Sequence, residues 1–412
     1  MKTRLLSIGA IAALAAGLLA TPASAAGATR WVDKDGSAGP NGCSGTGTAF
    51  TTIGAALDAA VAGDTVRVCA GRYKEQVTID TPGVTLISAK PWQARIAPTS
   101  PGGGAIVTVA AKNVTVQWLK IVAPTFGACT STGQGILIDG AKNARIVSNR
   151  VLANPNGDTF DGPCVLVEGI SVDDGSEAAV VTHNIVRNFT LVGIIIHNAD
   201  AQVINNSVQY WHQPCGTAQI ACRKAPQPAL PQIPTGIRIY QSTAIVDLNA
   251  ITSGPVDDLQ VVLEHGISTS GVDGVKIRKN DIRLVDYGMW LETSDNLRVI
   301  GNVVVGPTPP TPTRTRSRVA PASYARSGIL AWSGTGSRFA NNKVLHNQAG
   351  LDLSSQTTGA TVTGNDLTGN GIDCLDNGGN PANTWTDNLG NTDYPDGLCT
   401  DAPIQAVPGS PT

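Results

Sequence analysis

The chain is poor in aromatic residues (4%) and in charge (15%), and its 412 residues include two methionines and five histidines. With 46 glycines, that composition points to a turn-rich β protein. A basic excess is missing: 29 Lys and Arg stand against 31 Asp and Glu, a net charge of −2, which excludes the broad basic surface a nucleic-acid partner would need. Beyond the first twenty residues no apolar run is long enough to span a membrane. No CxxC spacing occurs, which argues against a zinc or dithiol redox site. Nothing resembles an EF-hand either, so a calcium site would have to come from scattered carboxylates such as Asp173 and Asp174 beside Asp158 and Asp161.

What is there starts with Lys2 and Arg4, an apolar run from Leu5 to Ala20, and small residues ending in Ala23, Ser24 and Ala25. This is the order of a signal peptide over residues 1–25, and it implies a secreted, extracellular protein with no membrane attachment after cleavage. The cysteines fall as sequential neighbours, Cys43 and Cys69, Cys129 and Cys164, Cys215 and Cys222, Cys374 and Cys399. They suit up to four local disulfides in an oxidising compartment, with connectivity left open.

A glycine-led phrase then repeats: GILID from Gly135, GISVD from Gly169, GIIIH from Gly193, GIRIY from Gly236, GISTS from Gly266, GMWLE from Gly288, GILAW from Gly328 and GLDLS from Gly350. The shortest interval is 22 residues, as from Gly266 to Gly288 and from Gly328 to Gly350. An asparagine followed one residue later by Val, Ile or Leu interleaves with it, at Asn149, Asn184, Asn206, Asn249, Asn280, Asn302, Asn342 and Asn365. Each unit reads as a short strand, an asparagine bend, a second strand, a turn and the glycine-led strand. Strands this short bury an apolar face only by coiling around a common axis, which predicts an all-β parallel β-helix, one solenoid over residues 26–399. A cap would occupy residues 29–76, including a helix over Ile53 to Ala62 that covers the open edge, and repeats would fill 77–399. Residues 400–412 read as a flexible tail.

The stretch FTTIGAALDAAVAGDTVRVCAGRYKEQVTI (Phe50 to Ile79) and the repeats after it resemble the pectin-lyase-like right-handed parallel β-helix superfamily. The resemblance implies fold; its members include polysaccharide lyases, epimerases, glycosidases and non-enzymatic surface proteins.

Alternation places the residue after each glycine inside and the next one outside. The farther outward column then reads Asp139, Asp173, His197, Tyr240, Ser270, Glu292, Trp332 and Ser354; the nearer reads Leu137, Ser171, Ile195, Arg238, Ser268, Trp290, Leu330 and Asp352. Asp173, His197, Arg238, Tyr240 and Glu292 are the expected catalytic residues, with Ser171, Asp174, Trp290 and Trp332 expected to bind substrate. The long insertions all enter between the asparagine strand and the glycine strand, as walls of a groove would. In alginate lyases and mannuronan C5-epimerases of similar fold, a histidine and a tyrosine move the sugar C5 proton while basic residues neutralise the uronate. Only the residue types match here, because the Asp-Pro-His motif of those epimerases is absent. GRYKE (Gly71 to Glu75) matches a pectin methylesterase motif whose catalytic segments are missing, and reads as a structural element of the cap. EHGIS and VKIRKN are similar to polygalacturonase signatures in the wrong order. The expected function is that of a monomer acting on an extracellular polysaccharide, by β-elimination or C5 epimerisation of a uronic-acid polymer. A glycoside hydrolase on the same scaffold and a non-catalytic glycan-binding solenoid are the alternatives.

Overall fold

The computed structural model describes residues 27–39, 42–45, 47–99, 104–123, 132–152, 166–189, 191–210, 234–253, 263–306 and 327–401. The expected leader, the residues after 401 and the four long insertions lie outside these, as do Cys129, Cys164, Cys215 and Cys222. Two of the expected disulfides are present, Cys43–Cys69 and Cys374–Cys399, with Cα–Cα distances of 5.5 and 6.3 Å. No helix of the described residues is long and apolar enough to cross a membrane.

Three parallel sheets, of 13, 12 and 10 strands, run the length of the molecule, and successive strands of the chain pass from one sheet to the next. The glycine phrases form the 12-stranded sheet. Its interior column is in register over seven coils: Ile170, Ile194, Ile237, Ile267, Met289, Ile329 and Leu351. All seven are fully buried, and the one polar member of the next column, Thr269, bonds Ser294 across the core at 2.9 Å. Such columns supply the area that each short strand lacks alone.

The asparagines do not make the bend themselves. The left-handed residue is the one before each of them: Ser148 (φ 54°), Asn205 (55°), Leu248 (57°) and Lys279 (51°). The asparagines are buried and stack into a ladder in which Asn249 accepts from the backbone N–H and side-chain amide of Asn206 at 2.9 and 3.0 Å. Asn249 Nδ2 in turn donates to Asn280 Oδ1 at 3.0 Å and to Val203 O at 2.8 Å. The ladder satisfies backbone groups that a corner would leave unpaired inside the protein.

The N-terminal helix is shorter than its pattern: it spans Ile53–Asp58, and Val61, expected on its apolar face, is 61% exposed. It packs against strands Thr29–Val32, Thr65–Val68 and Val77–Ile79. GRYKE is structural here, since Glu75 accepts from the first helical N–H groups, of Ile53 and Gly54, at 2.9 Å each. Strands ending at Leu152, Tyr210, Ser253 and Val305 precede the insertions, and the described chain resumes just ahead of the glycines, so all four insertions leave and rejoin at one corner.

Candidate functional site

The glycines turn that corner. A Cβ on Gly266 would lie 2.6 Å from the carbonyl oxygen of Gly288 and 2.4 Å from Ile282 Cγ2; Gly169, Gly193, Gly236 and Gly288 meet the next coil's glycine in the same way. Only a residue without a side chain allows this stacking. The bend has a consequence for the site. In a straight strand the residues at i and i+3 face opposite sides, yet here the residue before the glycine meets the one two after it. Ser171 Oγ donates to Glu168, and Arg238 Nη2 donates to Thr235 Oγ1 at 3.0 Å.

The nearer outward column is therefore partly roofed. Ser171, expected to bind substrate, is fully buried, and Ser268 and Leu330 are buried too. This corrects the reading of that column as solvent-facing. The farther column is accessible: Tyr240 is 38% exposed, and Asp173, His197 and Glu292 are half-buried or more open. Asp173, His197 and Tyr240 do lie on three successive coils. Asp173 pairs with Asp139, the Asp174 N–H bonds to the His197 carbonyl, and His197 is in register with Tyr240, their rings stacked at 5.3 Å and 27°. Asp174 Oδ1 stands 3.9 Å from His197 Nδ1.

Arg238, Tyr240, Trp290 and Glu292 line one cleft of about 440 Å³, together with His265 and Tyr287. Tyr287 and Glu168 escape the sequence reading, whereas His265 and Glu264, also on this cleft, enter it only within EHGIS, a phrase set aside there for its wrong motif order. Their position before or near a glycine was the available signal, but it becomes meaningful only once the strand is known to bend there. His265 is buried, stacked on Trp290 (5.1 Å, 17°) and edge-on to Tyr287 (5.5 Å, 78°). Trp332 continues the stack on the far side of Trp290 at 5.8 Å and 15°. The farther column breaks on the coil after it, where a register shift between Ala331 and Ser333 offsets strand Ser327–Thr335 against Ala349–Thr358.

Burial pushes the Asp173 carboxyl up to about 6, with the Glu168 carboxylate adding to it. Burial and then Arg238 lower the His265 imidazole to about 3, so it is neutral at ordinary pH. Burial also lowers Arg238, against the opposing field of Glu168, and raises Glu264, which Asp286 raises further. Asp352, farther along the face, is lifted to about 6 by burial. The structure does not bring Asp173 and Glu292 together. Four strand spacings separate them, roughly 19 Å, beyond the reach of a paired acid and base. Asp158 and Asp161 lie outside the described residues, which hold no group of three or more His, Cys, Asp or Glu side chains arranged for a metal ion.

Residues 265–398 match the family model described as periplasmic copper-binding protein (NosD). A search of curated proteins found no match. Among solved structures, the DFA-IIIase from Arthrobacter chlorophenolicus A6 without its lid is similar with a TM-score of 0.50 and 14% identity, over 83% of this chain and 95% of that one. The Azotobacter vinelandii mannuronan C-5 epimerase AlgE6 A-module is similar with a TM-score of 0.43 and 14% identity, over 86% and 95%. The Dettilon tailspike protein gives 0.47 and 12%, over 89% and 62%. In fold this chain is a right-handed parallel β-helix.

Proposed function

We propose that this protein works outside the cytoplasm on a polysaccharide laid along the face of its 12-stranded sheet. The observation that carries the reading is the aromatic stack of His265, Trp290 and Trp332 beside Tyr287, at the mouth of a cleft that also holds Arg238 and Glu292. Flat rings with a polar rim suit sugar faces, and the neutral His265 adds a hydrogen-bonding edge without a charge. The two disulfides fit an oxidising compartment. The DFA-IIIase has also been solved in complex with GF2, and the mannuronan epimerase is named for acting on a sugar polymer, so carbohydrate chemistry suits the scaffold.

Within that reading, Asp173 is the proton donor: lifted to about 6, it keeps a protonated fraction that an ordinary aspartate has lost. Glu168, whose field helps to lift it, is the accompanying carboxylate. Among the described residues Arg238 faces Glu264 and Glu292 in the cleft, with Asp173, Asp174 and Glu168 beyond. That balance repels a polyanion and favours a neutral glycan and hydrolytic or transfer chemistry. One observation favours the second reading, β-elimination or C5 epimerisation of a uronate: Arg238 stands two residues before Tyr240, whose ring stacks on His197, and these are the residue types that chemistry employs.

The test is to incubate the full chain with neutral and uronic-acid polysaccharides and to measure reducing ends and unsaturated ends separately. Reducing ends from a neutral polymer, abolished in Asp173→Asn, are expected. Unsaturated ends from a uronate polymer, lost in Arg238→Ala, would replace hydrolysis by elimination, and binding without bond cleavage would leave a non-catalytic glycan binder.

A further inference from the structure

Several cations of this solenoid meet a carboxylate on the neighbouring coil. Lys142 pairs with Glu177 at 2.8 Å, Arg278 with Asp247 at 2.8 Å and Lys343 with Asp366 at 3.5 Å. Two rows break that pattern: Lys276, Arg298 and Arg338 stack in the 13-stranded sheet with the last two exposed, and a longer, partly buried row stands in the 10-stranded sheet. In the 10-stranded sheet, Arg72 is in register with Arg95, Arg95 with Lys120, and Lys120 with Arg150, so four cations stand on four successive coils. Arg187 follows on the next strand, in register with Leu152. At one strand spacing per coil the row runs for about 14 Å.

None of these five side chains has a carboxylate partner among the described residues, and several of their nitrogens are buried without any hydrogen bond: Nε and Nη2 of Arg95, Nε of Arg150 and Nε of Arg187. Burial, then repulsion from Arg72, lowers Arg95; burial, then Arg95 and Arg150, lowers Lys120. Like charges opposite one another on neighbouring strands destabilise a sheet, and among the described residues no carboxylate offsets them here. Trp92 and Trp118 occupy the bend ahead of the row on two successive coils, with φ of 62° and 59°. The Arg150 guanidinium lies 3.8 Å from the centre of the Trp92 ring.

We infer that this row is a binding surface for a polyanionic polysaccharide, separate from the cleft and of opposite charge to it. A linear chain bearing a regularly spaced carboxylate or sulfate would neutralise the stacked cations. A neutral glycan would leave the repulsion in place. The surface serves to hold the protein on an anionic matrix, and it stands whether or not the cleft cleaves anything.

The experiment is equilibrium binding of the full chain to polygalacturonate and chondroitin sulfate, with dextran and single-stranded oligodeoxythymidine as comparisons, over a range of salt concentrations. The triple variant Arg95→Gln, Lys120→Gln, Arg150→Gln is expected to bind the anionic polysaccharides roughly three- to a hundred-fold more weakly, with a shallower salt dependence. Arg278→Gln, a cation already neutralised by Asp247, is expected to bind them as the parent does. Because Gln does not pack like Arg, the lysine variant Arg95→Lys, Arg150→Lys serves as a second check: it keeps the charge and is expected to retain most of the affinity. Unchanged affinity in the triple variant, equal binding of dextran, or tighter binding of the oligonucleotide would each overturn the assignment.

Discussion

Replacing Gly266 by alanine tests the corner and the cleft at once. The added Cβ would sit 2.4 Å from Ile282 Cγ2 and 2.6 Å from the Gly288 carbonyl oxygen. The isoleucine can turn away, but the carbonyl belongs to a backbone stacked coil on coil, so the strands must separate locally. Overpacking of this kind costs about 1–3 kcal/mol, and the rigid backbone contact places Gly266→Ala near the upper end. The same displacement moves His265, the preceding residue, off the Trp290 ring it stacks on at 5.1 Å. Chemical unfolding followed by circular dichroism should therefore show the loss of stability, and tryptophan emission of the folded protein should change with it. Gly42→Ala is the control, because nothing lies within 4 Å of the Cβ it would add. A Gly266→Ala protein as stable as Gly42→Ala, with unaltered emission, would refute the stacked-corner account.

Asn249→Ala leaves the buried Asn206 N–H without its acceptor, while the Asn206 side-chain amide keeps Val181 O and Ile204 O; one buried orphan donor predicts a loss of about 1–3 kcal/mol in the same unfolding assay. Asp173 binds a proton more tightly in the folded state, its pKa rising from 3.8 to about 6. Stability from this group is thus greatest below pH ~4 and falls as pH rises through ~6, by about 1–2 kcal/mol once solvent screening is allowed for. Asp173→Asn should remove that slope in melting curves taken across the same pH window. Trp290→Ala removes ring contacts with His265, Tyr287 and Trp332 and should weaken glycan binding in the cleft by about tenfold, read by calorimetry.

The solenoid was legible because its core is periodic. Ile170, Ile194, Ile237 and Ile267 follow four glycines at the same offset, and in the structure they share one register. For the same reason the row of Asp173, His197 and Tyr240 could be read from spacing alone. His265, Tyr287 and Glu168 could not. Alternation carried backwards through a glycine treats the strand as straight, whereas the chain bends there and turns those residues onto the face that holds Ser171, Arg238 and Trp290. Ser171 was misplaced by the same assumption, since it is covered by the groups that the bend folds back. The asparagines were recognisable as a repeat, but their role depends on a bond to the next coil's asparagine, and only the coiling supplies that neighbour. The basic row was equally hidden, because Arg72, Arg95, Lys120 and Arg150 stand 23, 25 and 30 residues apart and share no phrase.

The most direct test of the account is saturation binding of neutral oligosaccharides to the full chain, followed through tryptophan fluorescence and repeated with Trp290→Ala and His265→Ala. The account predicts a saturable change with at least one glycan, lost or strongly weakened in both variants while their melting curves still show a folded solenoid. Binding that is indifferent to both substitutions, or no saturable response to any glycan, would contradict it.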